Sequence, residues 1–165
     1  MQKIIKDGVI QDCDLNWIQD QEQAVEALAG DQKAKAIIPL NLWLDDAHDT
    51  SGVAGIWIDS TESTEPLAGK DLSELAVIGL NFLAFADGRC FSYARLLRER
   101  LNYQGEVRAL GNFIPDQQGY MLRVGFNGFQ FNESVDIEKA LLLHKPFSVA
   151  YQGDVADPRP VFARR

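Results

Sequence analysis

Val53-Ala54-Gly55-Ile56-Trp57-Ile58 is a continuous apolar run, bounded by Ser51-Gly52 before it and Asp59-Ser60 after it. A strand with one face in water alternates apolar and polar side chains. An unbroken run of this length reads instead as a strand covered on both faces, the pattern of a parallel sheet. Downstream, similar runs alternate with helical patterns. Strands are predicted over residues 76–82, 106–110 and 126–131, and helices over 91–101, 116–123 and 137–143, with Leu72 and Leu75 marking a short helix before the second strand. Four successive strand-helix units predict an α/β fold with a mostly parallel sheet, open or half-barrel-like.

Upstream of that run, from Ile37 onward, Leu40, Trp43, Leu44 and Ala47 recur at helical spacing just after Pro39, which predicts an amphipathic helix ending near Gly52. Residues 24–29 are helix-prone and stop at Gly30-Asp31. Near the start, Ile4-Ile5 and Val9-Ile10 flank Asp7-Gly8, a pair that tolerates the positive φ angles of a tight turn, so an N-terminal β-hairpin is expected. Residues 11–23 read as a polar, peripheral lead-in anchored by Trp17 and Ile18. Beyond Lys145 the pattern weakens: residues 147–151 are compatible with an extra strand, and Asp157-Pro158-Arg159-Pro160 cannot continue one. The expectation is one domain over 1–165, with hairpin and lead-in at 1–30 and a C-terminal extension at 145–165.

The charge balance excludes some function classes. Sixteen Lys and Arg against 24 Asp and Glu give −8 at pH 7, which disfavours general attraction to nucleic acid or an anionic membrane. The start, Met1-Gln2-Lys3-Ile4-Ile5-Lys6-Asp7, turns polar too early for a secretory signal, and no run approaches membrane-spanning length. A cytoplasmic location follows as an expectation. Cys13 and Cys90 are far apart, and His48 and His144 stand alone, so no metal site is expected. The sequence has no G-x-G-x-x-G, no G-x-S-x-G and no complete P-loop around Gly69-Lys70, so no cofactor is predicted.

The richest candidate segment runs from Phe85 to Arg100, where a buried strand hands over to a helix. Asp87-Gly88-Arg89 forms the turn, with Gly88 allowing close backbone approach and Arg89 offering a bidentate guanidinium to an oxyanion or a partner carboxylate. Ser92 is placed to cap the helix. Tyr93, Ala94, Leu97 and Leu101 make its buried stripe, leaving Arg95, Arg98 and Glu99 outward, either as recognition groups or as solvated structural charges with Arg95 and Glu99 paired. Equivalent loops of parallel strands share an edge, so Asn112, Asp116 and Gln117 are expected near Arg89, with helix capping as the other role for Asp116. Arg108, inside a strand, faces either an acidic partner or the sheet surface through its stem. Cys90 beside Arg89 at a helix start has the surroundings of an activated thiol, with a plain structural thiol as the alternative.

The run 75–131, with Asp87-Gly88-Arg89, Phe91-Ser92, Ala94-Arg95-Leu96-Leu97-Arg98-Glu99-Arg100, Tyr103, Gly105-Glu106, Arg108-Ala109, Gly111, Asp116-Gln117 and Gly125-Phe126, resembles the bacterial domain of unknown function 934. Ile4-Ile5-Lys6-Asp7-Gly8 and Phe147-Ser148-Val149-Ala150-Tyr151-Gln152 extend the resemblance to nearly the whole chain. The resemblance implies a probable oxidoreductase label that describes a pathway, because such proteins accompany assimilatory sulfite reductase. It supplies no catalytic residues. Cys90 stands where that pattern usually has glycine, Asn112 where it has aspartate and Val124 where cysteine is common, which moves weight from catalysis to assembly. The expected role is therefore an accessory protein of sulfite reduction that docks to the reductase or its electron donor through Arg89, Arg95 and Arg98. The alternative is an oxidoreductase or other enzyme acting on a small oxyanion at the strand C-terminal ends, with Asp87 or Asp116 as acid-base group and Arg89 as clamp. Pairing of an exposed sheet edge with a second copy is a third expectation.

Overall fold

The computed structural model describes residues 2–144 and 150–164. The chain opens with a hairpin, β1 (Gln2–Lys6) and β2 (Val9–Cys13), turned through Asp7 and Gly8 at φ 49° and 80°. Positive φ at both central residues matches the right-handed twist of the flanking strands, which is why this dipeptide closes the hairpin. A two-residue strand, β3 (Asn16–Trp17), follows, then α1 (Gln21–Ala29), whose first turn is capped by Asp20 accepting from Gln23 N at 3.0 Å. The remaining elements are β4 (Ala36–Pro39), α2 (Leu40–Trp43), β5 (Gly55–Asp59), β6 (Val77–Phe82), α3 (Arg89–Glu99), β7 (Glu106–Gly111), α4 (Gln118–Val124), β8 (Gly128–Phe129) and α5 (Ile137–Leu142).

Three expectations change here. The helix predicted from Ile37 to Gly52 is a buried strand, β4, followed by the single turn α2, because Pro39 closes a ladder rather than opening a long helix. The lead-in is not merely peripheral, since Asn16 and Trp17 add an edge strand paired with Ala36 and Ile37. Leu72 and Leu75 join one turn, Leu75 N donating to Leu72 O at 3.1 Å, and no helix forms around them. Of the strand considered over 147–151, residues 147–149 lie outside the described residues, and Tyr151 is in a bend.

Among the described residues, all eight strands share one open, curled, half-barrel-like sheet in the order β2-β1-β8-β7-β6-β5-β4-β3. The sheet is mixed. Neighbours from β3 to β8 pair parallel, while β1 lies antiparallel on both β2 and β8, with Ile5 opposite Phe129. The expected mostly parallel sheet of four strand-helix units is therefore corrected to a mixed one: no α-helix follows β5 before β6, and β3, β4 and the hairpin extend the sheet on either side of β5 to β8.

Alternation along the strands separates two faces. Ile38, Ile56, Ile58, Ile78, Leu80, Val107, Ala109 and Phe129 pack with Ala24, Leu42, Ala94, Leu97, Met121 and Ala140 from the helices into one core. Side chains one residue out of step, including Ile4, Ile37, Val77 and Leu110, are also buried but stand outside that core, on the inner face of the curl. Burial on both faces explains why β5 and β6 read as unbroken apolar runs.

Candidate functional site

The turns after β6 and β7 meet on one edge of the sheet. Asn112 Nδ2 donates to Leu83 O at 2.9 Å, and Gln117 Nε2 donates to Phe85 O at 3.2 Å while its Oε1 accepts from Ile114 N at 3.1 Å. These straps cross from one turn to the other and fix the backbone of both. Gly111, at φ 83°, makes the turn possible, since a Cβ there would overlap Asn81 Oδ1 and Phe82 O.

Asp87, Gly88 and Arg89 lie on this rim, and Arg89 is exposed there. Its guanidinium folds back on Asp87, Nε at 2.9 Å from Oδ1 and Nη2 at 2.6 Å from Oδ2, while Asp87 Oδ1 also accepts from Arg89 N at 3.1 Å. The Arg89 hydrogen bonds hold the Asp87 carboxyl well below its usual range. Asp87, rather than Ser92, therefore serves the first amide of α3, and Ser92 lies exposed within the helix, which starts at Arg89. Asp116 is exposed in the turn Pro115–Gln117 ahead of α4.

The other arginines separate from this rim. Arg95 is exposed and paired with Glu99 at 2.9 Å. Arg98, read as outward, turns inward at the far end of α3, donating to the carbonyls of Tyr103 at 2.7 Å, Gly105 at 2.8 Å and Gly125 at 2.9 Å, and to Asn127 Oδ1 at 3.1 Å. Those acceptors precede β7 and β8, so Arg98 ties together the opposite edge of the sheet. Its four acceptors are turn carbonyls and a side-chain amide that a long, forked cation satisfies. Cys90 is fully buried with Sγ 3.4 Å from Asn81 O, and burial, helped by Asp87 and Asp59, pushes its thiol up to about 12. The activated-thiol reading therefore gives way to a structural thiol.

Arg108 is 1% exposed on the inner face of β7. Its Nε donates to Glu106, which also holds Lys6 Nζ at 2.9 Å, and its Nη1 reaches Cys13 Sγ and Gln130 Oε1, both at 3.3 Å. Gly128, the neighbour of Arg108 on β8, leaves the space that the Glu106 carboxylate occupies. Burial would push that carboxyl up, but Arg108 and Lys6 outweigh burial and hold it below its usual value. Glu106, Lys6, Cys13 and Gln130 were not singled out from sequence as partners of Arg108. Glu106 and Arg108 two residues apart in an apolar strand were the available signal, since both then face one side.

The rim also carries apolar side chains that nothing covers: Leu83 is 47%, Phe85 58% and Ile114 42% exposed. Among the described residues no cluster of three or more His, Cys, Asp or Glu is arranged to hold a metal ion, and no helix is long and apolar enough to cross a membrane. No curated protein and no solved structure matches the chain. A family model does match, over residues 55–162, which takes in β5 to β8, both turns of the rim and the buried Arg108–Glu106 pair. This chain belongs to the family described as bacterial protein of unknown function, DUF934.

Proposed function

We propose that the chain is an accessory protein of assimilatory sulfite reduction, acting in the cytoplasm and docking through the rim formed by the turns after β6 and β7 to sulfite reductase or the electron donor that serves it. The observation that carries this reading is the set of exposed side chains Leu83, Phe85 and Ile114 on turns braced by Asn112 and Gln117. Apolar groups in water on a pre-organised backbone favour association, because little further ordering is needed when a partner covers them. Asp87 and Arg89 at the margin supply a polar fringe whose role is orientation rather than affinity. The choice of partner rests on the pathway that the family resemblance implies.

The reading of an enzyme that clamps a small oxyanion with Arg89 has less support, because the Nε and Nη2 edge of that guanidinium is already engaged by Asp87. Co-purification of the tagged chain with the reductase and its donor, at low and at moderate salt, tests the docking role. Retention of either protein at both salt levels, lost in Phe85→Asp, is the expected result. Failure to retain either, or retention indifferent to Phe85→Asp, contradicts it.

A further inference from the structure

β2 is the outermost strand on one side of the sheet and pairs with β1 alone among the described residues, while the opposite edge is the two-residue β3. The register of the hairpin sets which backbone groups of β2 are already engaged. Lys6 and Val9 flank the two-residue turn as a hydrogen-bonded pair, so by alternation Ile4 with Gln11 and Gln2 with Cys13 are hydrogen-bonded pairs too. The N–H and C=O groups of Ile10 and Asp12 therefore point away from β1, and no backbone group among the described residues meets them.

Edge strands that stay single are blunted by proline, lysine, a bulge or shortness. β2 has none of these. It runs for five residues, Val9-Ile10-Gln11-Asp12-Cys13, in unbroken register with β1, and Asp12 is its one charge. Val9, Gln11 and Asp12 are exposed, Val9 at 61%. The other edge, β3, is too short to serve as a template.

Such an edge accepts an extended strand, and β2 is complementary to itself. In a two-fold antiparallel pairing centred on Gln11, Ile10 of one copy lies opposite Asp12 of the other, so the outward N–H and C=O groups of both residues find partners. Val9 then lies opposite Cys13, and Gln11 opposite its own counterpart. Charge agrees with this register. Asp12 sits between Lys3 of its own chain, its neighbour across β1, and the apolar Ile10 of the second copy, so no like charges face each other. A centre at Asp12 sets two carboxylates against each other, and a centre at Ile10 runs Asp12 into the turn at Gly8.

We propose that the chain forms a two-fold homodimer by antiparallel pairing of β2 with β2 of a second copy, centred on Gln11, which joins the two sheets into one. This surface shares no residue with the docking rim, and the purified chain alone suffices to test it.

A contact of this size lies at the weak end of specific interfaces, so sedimentation velocity is run from about 5 to 500 μM. The expected result is a monomer–dimer equilibrium, weakened about tenfold or more by Asp12→Pro and unchanged by Glu26→Gln on the exposed side of α1. Proline at position 12 removes an outward N–H and leaves the ladder with β1 in place. Should that variant not fold, Gln11→Lys takes its place with the same expected weakening, because it sets two cations against each other at the axis from an exposed position. Under mild oxidation Gln11→Cys links two chains above the wild-type background, since opposed residues of a non-hydrogen-bonded pair are close enough for a disulfide, and Glu26→Cys does not. A monomer across the whole range overturns the proposal. So does a dimer that the edge substitutions leave intact or that Gln11→Cys fails to cross-link.

Discussion

Glu106 is the carboxylate on which two cations converge, Lys6 from β1 and Arg108 from its own strand, so it links the hairpin to the parallel part of the sheet. Its carboxyl is held below 4.5, hence its contribution to stability is present above the unfolded value and is lost as pH falls through the lower, folded one. Thermal melts should therefore lose midpoint steadily on acidification below about pH 4.5, and Glu106→Gln should flatten that slope. At neutral pH the same substitution leaves Arg108 buried without its anion, an expected cost of about 3–5 kcal/mol in denaturant unfolding. Cys90 should resist iodoacetamide near pH 8 until the chain is unfolded, because the neutral thiol is what burial favours. Rapid labelling in the native state would contradict that placement. At this scale the sequence was informative about which charges were unusual and silent about where they pointed. Arg108 was visible as a cation in a strand, whereas Arg98 looked solvated because its acceptors are carbonyls of turns that no periodicity reveals.

Among the elements, α3 was legible from its helical period and β6 and β7 as runs bounded by polar residues, and each came within a few residues of its predicted span. The four residues of β4 are all buried and are followed at once by a helical turn, so the run from Ile37 merged into one apparent helix. A two-residue strand such as β3 leaves no period at all. The elements also predict where single changes will be felt. Gly111→Ala forces a side chain to φ 83° against Asn81 and Phe82, and should cost more than about 1 kcal/mol in urea unfolding while loosening the rim. Asp136 caps α5, accepting from Glu138 N at 3.1 Å and Lys139 N at 3.2 Å, so Asp136→Ala should cost about 1 kcal/mol. A neutral outcome at Gly111 would show that the turn after β7 is not held as described.

For the whole molecule, the successive strand-helix units implied neighbouring parallel strands, and β5 to β8 are indeed neighbours in chain order. The docking of the hairpin on β8 was not legible, because Ile5 and Phe129 come from opposite ends of the chain and no local signal pairs them. The same holds for the candidate sites. The rim could be anticipated from the rule that loops of parallel strands share an edge, and Asn112 and Gln117 do meet the turn that carries Arg89. The open edge at β2 depends on the hairpin's place at one end of the strand order, which only the assembled sheet contains. The docking claim is tested most directly by the affinity of the purified chain for purified sulfite reductase, and for its electron donor, compared between wild type and Phe85→Asp. The account predicts saturable binding to one of them, weakened about tenfold or more by the substitution. Binding to neither, or equal affinity for both forms of the chain, would contradict it.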